Sequence, residues 1–160
     1  MPIRSVEYRP EYGLEVVKLW RRSFQRAMGL PEQDPYDELI GHLDFFTSLD
    51  PAGHHLLMES DTSSIVAFMS LSPGYLEHLY VHVDWQGQGL GSRLMARAKS
   101  RSSEGFDLHT FQLNTGAQAF YLSHGFQEVA RGYAREADNP WATSPDQLAD
   151  IRYRWEPLKP

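Results

Sequence analysis

Three glycines at alternate positions, Gly87, Gly89 and Gly91, stand in the run Gln86-Gly87-Gln88-Gly89-Leu90-Gly91, between an alternating apolar stretch and an amphipathic one. Without Cβ atoms the backbone there can turn sharply and come close to a bound group. Leu90, Leu94, Met95 and Ala98 follow at helical spacing, so the glycines open a helix whose first unpaired N–H groups and positive dipole end point back over the turn. Such a site suits an anion, above all a phosphate. Two known phosphate patterns do not fit: a dinucleotide fingerprint requires glycine where Ser92 stands, and a P-loop requires four residues between its glycines and then Gly-Lys-Ser/Thr. The chain has no cysteine, which removes disulfides, thiolate ligands and a thiol nucleophile. Its histidines show no spacing of the H-E-x-x-H kind, so no metal site is expected.

Gln86, Gly89 and Gly91 resemble the Gln/Arg-x-x-Gly-x-Gly/Ala pyrophosphate loop of the GNAT superfamily, the acyl-CoA-dependent N-acetyltransferases. A second stretch carries the same resemblance, because Asn114 to Phe126 looks like the family's sequence of Asn, then Ala, then Phe/Leu-Tyr (here Phe120-Tyr121), then Gly-Phe (here Gly125-Phe126). The likeness covers residues 76 to 132 well and the rest by order of elements, and Val83 departs from it where the family often has proline. It implies a mixed α+β chain of GNAT-like fold, one domain over residues 1–160 with a mixed central sheet of about seven strands flanked by about four helices. It also implies an acyltransferase with acetyl-CoA as co-substrate and no metal. That enzyme would move an acetyl group to a primary amine of a small molecule or peptide by direct attack, which the absence of cysteine favours. A non-catalytic acyl-CoA-binding sensor or interaction module of the same fold is the alternative, and a Rossmann-type fold is disfavoured by Ser92 and the strands ahead of the loop.

Acyl transfer from a thioester needs a grip on the carrier, a neutral amine, stabilisation of the oxyanion and a proton for the thiolate. Gln86, Gly87, Gln88, Gly89, Leu90, Gly91 and Ser92 are assigned the grip, with Arg93 and Arg97 as phosphate partners or as a solvated helix face. By resemblance, N–H groups near Leu79, Tyr80 and Val81 bind the pantetheine arm and polarise the thioester carbonyl. Asn114 contacts the cofactor, caps the next helix, or does both. Tyr121 matches the family's general acid, against the plain reading of a core aromatic beside Phe120. Glu77 matches the acidic residue that accepts the amine proton, against that of an exposed strand-end carboxylate, and His82 is a reserve base. By strand alternation His78, Tyr80 and His82 lie on the face opposite Glu77.

The elements that must position these residues are legible as periods. Leu79, Val81 and Val83 alternate with His78, Tyr80 and His82 in the strand that feeds the loop. Ile3 to Arg9 reads as a first strand ended by Pro10, and residues 54–59 and 64–71 as a hairpin that a Ser72-Pro73-Gly74 turn extends into a meander. A helix over 11–28 puts Val16, Val17, Trp20, Phe24 and Ala27 on one face and Lys18, Arg21, Arg22 and Arg26 on a solvated one. A second helix starts at an Asp34-Pro35 cap, runs to about Ser48 and leaves His42 exposed. Strands over 106–113, 126–132 and 151–156 and a helix over 116–124 complete the sheet, which is mixed because a helix crossover joins parallel strands. The helices over 11–48 and the polar loop 133–149 are expected to make the acceptor's pocket.

A length of 160 residues with 41% hydrophobic content supports one real core. The start of the chain has no apolar signal region and no apolar run approaches the ~20 residues of a membrane span, so a cytoplasmic protein is expected. The net charge of -6 argues against nucleic acid, whose binders are basic, and with Glu32, Asp34, Asp37 and Glu38 favours a cationic acceptor, its nitrogen held near Glu77 and its body able to stack on Tyr133 and Trp141. The partner classes are thus an amine acceptor, with neither nucleic acid nor membrane, and a homodimer is an open option.

Overall fold

All of His54–Glu59 and Ile65 to Ser70 of the next strand are buried at successive positions, His54, His55 and Glu59 included, the mark of strands covered on both faces. The computed structural model describes residues 2–33 and 36–158, with side chains undescribed for Tyr36 and Asp37; the expected Asp34-Pro35 cap lies outside the described residues. The elements run β1 (Ile3–Glu7), α1 (Gly13–Met28), α2 (Tyr36–Ser48), β2 (His54–Glu59), β3 (Ile65–Ser72), β4 (Tyr75–Val81), α3 (Leu90–Ser100), β5 (Phe106–Phe111), α4 (Thr115–Ser123), β6 (Gln127–Tyr133) and β7 (Ala149–Trp155). One seven-stranded sheet in the order β1-β2-β3-β4-β5-β7-β6 holds them, with only β4 and β5 parallel. Its two faces bury separate cores. Leu57, Ala67 and Met69 pack with Leu94 and Met95 of α3, while Leu56, Met58 and Phe68 pack with Val16 and Val17 of α1 and Phe46 of α2. Among the described residues no helix is long and apolar enough to cross a membrane.

Two features of the sheet's centre matter for function. First, β4 and β5 pair at one point, Tyr75 opposite Asp107, and then part. Second, β4 carries a bulge. Ser70 faces His78 and Leu71 faces Leu76, so Glu77 is the extra, unpaired residue. The bulge resets the alternation, which puts Leu76 in the same core as Leu79 and Val81 although they are an odd number of positions apart.

Three expectations are corrected. β4 stops at Val81 and Val83 is not in it: His82 Nδ1 accepts the Asp84 N–H at 3.1 Å and Val83–Trp85 coils into a 3-10 turn. Arg21 is not solvated but 6% exposed, because Glu38 of α2 pairs with it at 2.8 Å and the Gln33 carbonyl accepts from it at 3.0 Å. His42 is half-buried, its ring edge-on to Trp20 at 4.5 Å between centroids, and burial lowers its pKa.

Candidate active site

Where β4 and β5 part, a cleft of about 550 Å3 opens between Leu76–Val81 on one side and Leu108–Phe111 on the other. The glycine turn, the start of α3 and α4 close it, and α4 lies against the start of α3: the Phe120 ring stands beside Gly91, and His124 Nε2 meets Ser92 Oγ at 3.0 Å. Gly87 (φ 77°) and Gly89 (φ 83°) both adopt the left-handed conformation that side chains disfavour, and a Cβ on either would meet nothing within 4 Å. The turn is therefore an open cradle. Gly89 precedes α3 and has no side chain to cap it, so the helix's leading N–H groups face the cradle uncapped. A pyrophosphate fits this donor set, which supplies backbone N–H groups and a positive helix end without a competing carboxylate. Gln86 holds the turn by donating from Nε2 to the Val81 carbonyl at 3.1 Å.

Of the residues expected to hold the cofactor, Leu79, Tyr80, Val81, Gln86, Gly87, Gly89, Leu90, Gly91, Ser92 and Asn114 line this cleft, and Gln88 does not. Arg93 and Arg97 are not in it. Arg93 turns to β1, donating to the Ile3 carbonyl at 3.1 Å, and Arg97 lines a separate depression with His55 and Arg101. Asn114 caps α4, its Oδ1 accepting the Ala117 N–H at 3.1 Å, and also faces the cleft. His82 lies in another hollow with Glu15 and Lys18.

Tyr121 and Glu77 both line the cleft. Tyr121 sits among the rings of Phe120, Phe126 and Tyr153, and burial pushes its phenol well above the ordinary range, with Tyr80 and Tyr75 adding to the shift. Burial likewise raises the Glu77 carboxyl, against a long 3.5 Å hydrogen bond from Ser72 that pulls it down. Strict alternation would have separated Glu77 from His78 and Tyr80, yet all three line the cleft, because of the bulge and because a gap between strands is reached from both faces.

Sequence reasoning missed Ser23, Phe24 and Phe111 as residues of the cleft. Ser23 lines the cleft and ties α1 to the end of β4, its hydroxyl donating to the Val81 carbonyl at 2.6 Å. Phe24 and Phe111 also line it, and the apolar periodicity that signalled both elements gave no reason to separate them from core. His78 is 5% exposed among Trp20, Phe45, Phe46, Phe68 and Tyr80, with its Nδ1 unpartnered. Burial and the neighbouring His54 and His42 lower its pKa to about 3.

Through Phe24, Tyr80 and Phe111 the cleft adjoins a second pocket of about 740 Å3, built by α1, α2 and the loop between β6 and β7. Its position agrees with the elements expected to form the acceptor's pocket, and Trp141 lines it. Tyr133 does not, being 71% exposed on β6. Of the carboxylates behind the charge argument, Glu32 pairs with Arg26 at 2.7 Å and Glu38, at the pocket's edge, with Arg21 at 2.8 Å; Asp34 and the Asp37 side chain lie outside the described residues.

Residues 51–128 match the acetyltransferase (GNAT) domain. The chain is 26% identical over 144 residues to the peptidyl-lysine N-acetyltransferase YjaB of Salmonella typhimurium, spanning 88% of this chain and 94% of that protein. In structure it resembles apo-form YjaB from Escherichia coli with a TM-score of 0.71 at 22% identity, covering 96% of this chain and 97% of that one. The PaiA N-acetyltransferase from Thermoplasma acidophilum, solved in complex with coenzyme A, superposes with a TM-score of 0.66 at 12% identity over 98% of this chain and 100% of that one.

Proposed function

We propose, from the match of residues 51–128 to the GNAT acetyltransferase domain, that this chain is an acetyltransferase of that kind, that acetyl-CoA lies in the β4–β5 cleft and that a primary amine of a small molecule or peptide attacks it directly. The observation that carries the reading is the single β4–β5 pair, which leaves a gap lined by both the glycine cradle and Tyr121. Acetyl-CoA supplies the activated acyl group. Backbone N–H groups of Leu79 and Val81, which alternate with the His82 N–H bonded to β3 and so face the β5 side, orient the arm and stabilise the developing oxyanion. Tyr121 donates toward the departing sulfur. A phenol with a raised pKa is a weak acid but stays protonated, and a thiolate leaving into the same dry gap becomes more basic, so the two remain matched.

A lysine-like amine of pKa about 10.4 is neutral in only about one molecule in 10³ at neutral pH. Glu77 is assigned the amine's proton, and its burial-raised pKa makes it a better base than an exposed carboxylate. The name of the YjaB relatives supports a lysine amine within a peptide as one acceptor.

Glu77→Gln is expected to lower kcat/KM about tenfold, less than the 10²–10⁴ of an irreplaceable base because water can stand in. Below its raised pKa Glu77 is neutral and cannot accept a proton, so the wild-type rate falls as pH drops through that value and the variant lacks this contribution. Steady-state release of CoA thiol from pH 5.5 to 9 measures it; equal rates for both proteins at every pH would reduce Glu77 to a strand-end carboxylate.

A further inference from the structure

Two aromatic walls bound the second pocket. Trp20 meets His42 at 4.5 Å between ring centroids, Tyr80 at 6.3 Å and Phe45 at 6.4 Å, so that α1, α2 and β4 form one wall. Phe24, Phe111 and Trp141 meet edge to face at 5.3 to 5.7 Å and form the other, from α1, β5 and the β6–β7 loop. Trp141 has its indole N–H satisfied within its own loop, by Asn139 Oδ1 at 3.1 Å. Its polar atom needs no ligand while its ring remains a wall of the pocket. Phe45 is 47% exposed, a large apolar side chain that the fold itself leaves half-covered. The volume of about 740 Å3 falls within the roughly 300–1,000 Å3 that encloses a drug-sized ligand.

The charges at this pocket are few and occupied. Glu38 is held by buried Arg21 at 2.8 Å. Asp138, 65% exposed at the rim, faces Arg135 at 3.7 Å. A slender cation finds no buried open carboxylate among the described residues lining it, and the four methylenes of a lysine side chain would leave most of the rings wet. A flat apolar body carrying an amine suits it better. The ring stacks between the walls, worth about 0.5–1.5 kcal/mol per aromatic pair beyond the area buried. The ammonium group is tolerated over ring faces until it loses its proton. Phe24, Tyr80 and Phe111 belong to both cavities, so the amine end of such a ligand is led to the cleft.

We infer that the pocket selects arylalkylamines, primary amines a few carbons from an aromatic ring, as acetyl acceptors; this rests on the acyl-transfer reading above. The amine nitrogen forms a bond to the acetyl carbon and the carbon–sulfur bond breaks. The nitrogen loses one proton to Glu77 and thence to solvent, and the thiolate takes one from Tyr121, which solvent restores. The products are the N-acetylated amine and CoA thiol.

Thiol release with phenethylamine, n-butylamine and Nα-acetyl-lysine amide tests this, alongside quenching of intrinsic tryptophan fluorescence by phenethylamine without acetyl-CoA. Phenethylamine is expected to exceed n-butylamine in kcat/KM by about tenfold or more, the discrimination an apolar pocket gives for added buried surface. Trp141→Ala and Phe45→Ala are each expected to collapse that ratio through KM, while calorimetric affinity for acetyl-CoA verifies that each variant is folded. If the lysine amide leads, or if both variants keep the ratio, the inference is overturned and acyl transfer stands. If no amine is acetylated yet phenethylamine quenches saturably and the variants abolish the quenching, the pocket's ligand class is upheld and the acyl-transfer reading fails.

Discussion

Acetyl-CoA binding is expected to fall by more than about 10²-fold in Gly89→Glu, the largest loss that any single change in the cleft should produce. Gly89 sits at φ 83° immediately before α3, so any side chain there costs about 1–2 kcal/mol of backbone strain. Glutamate adds a negative charge at the helix end where the pyrophosphate would lie, and offers its own carboxylate to the N–H groups that the ligand needs. Gly89→Ala separates the two effects, since it carries the strain without the charge and should weaken binding only about tenfold. Calorimetry on both variants, with circular dichroism to verify folding, decides the matter. A folded Gly89→Glu protein that binds acetyl-CoA with undiminished affinity would remove the cradle from the site.

Tyr121→Phe should lower kcat by about 10²-fold with little change in affinity for acetyl-CoA, because it deletes a proton donor and keeps the ring. The ring is what packs against Phe126 and Tyr153, so stability should hardly move. The raised pKa sets a further condition. A phenol held above its ordinary value of 10.0 stays protonated throughout the assay range, so the wild-type profile should show no loss of rate from Tyr121 ionisation up to about pH 10. Single-turnover and steady-state rates measure the effect. Wild-type turnover in the variant would return Tyr121 to the role of a core aromatic, and binding of acetyl-CoA without turnover in the wild type would favour a sensor over an enzyme.

Much of this arrangement was legible as periodicity, and its failures share one cause. Alternation and helical spacing record what lies on the two sides of an element, not what stands across from it. The strands on either side of the glycine turn, the four helices and the cradle follow from local pattern and the family resemblance, and the sheet has the expected mixed pairing. Arg21 lies on the polar face of α1 as its spacing requires, but the chain after α1 folds over that face and brings Gln33 and Glu38 to it. The bulge at Glu77 depends on a count of residues in β3 against β4, which no single strand contains. The parting of β4 from β5, a fact about a pair of strands more than 20 positions apart, was implied by the family resemblance and by no local pattern. Phe24 reads as one more residue of an apolar helix face because an apolar side chain lining a pocket and one filling a core leave the same mark in sequence.

The histidines stacked into the aromatic core give the proton a role beyond catalysis, as a ligand of the unfolded chain. His78 takes up a proton at about 6.5 when unfolded but only near 3 in the folded protein, so its contribution to stability is complete above pH 6.5 and drains away as pH falls toward 3. The gradient is about 1.4 kcal/mol per pH unit for each such group. His54, stacked on Phe46 at 4.0 Å, and His42 are shifted in the same direction and steepen it. Urea midpoints recorded from pH 7.5 to 4.5 should slide downward with acid, and His78→Phe, which cannot protonate, should flatten the slope. An unchanged slope would assign the acid sensitivity to other groups. On this reasoning the acid boundary of activity is expected to be set in part by the wall that Trp20 shares with His78, since acid that protonates Glu77 also loosens the helices enclosing the second pocket.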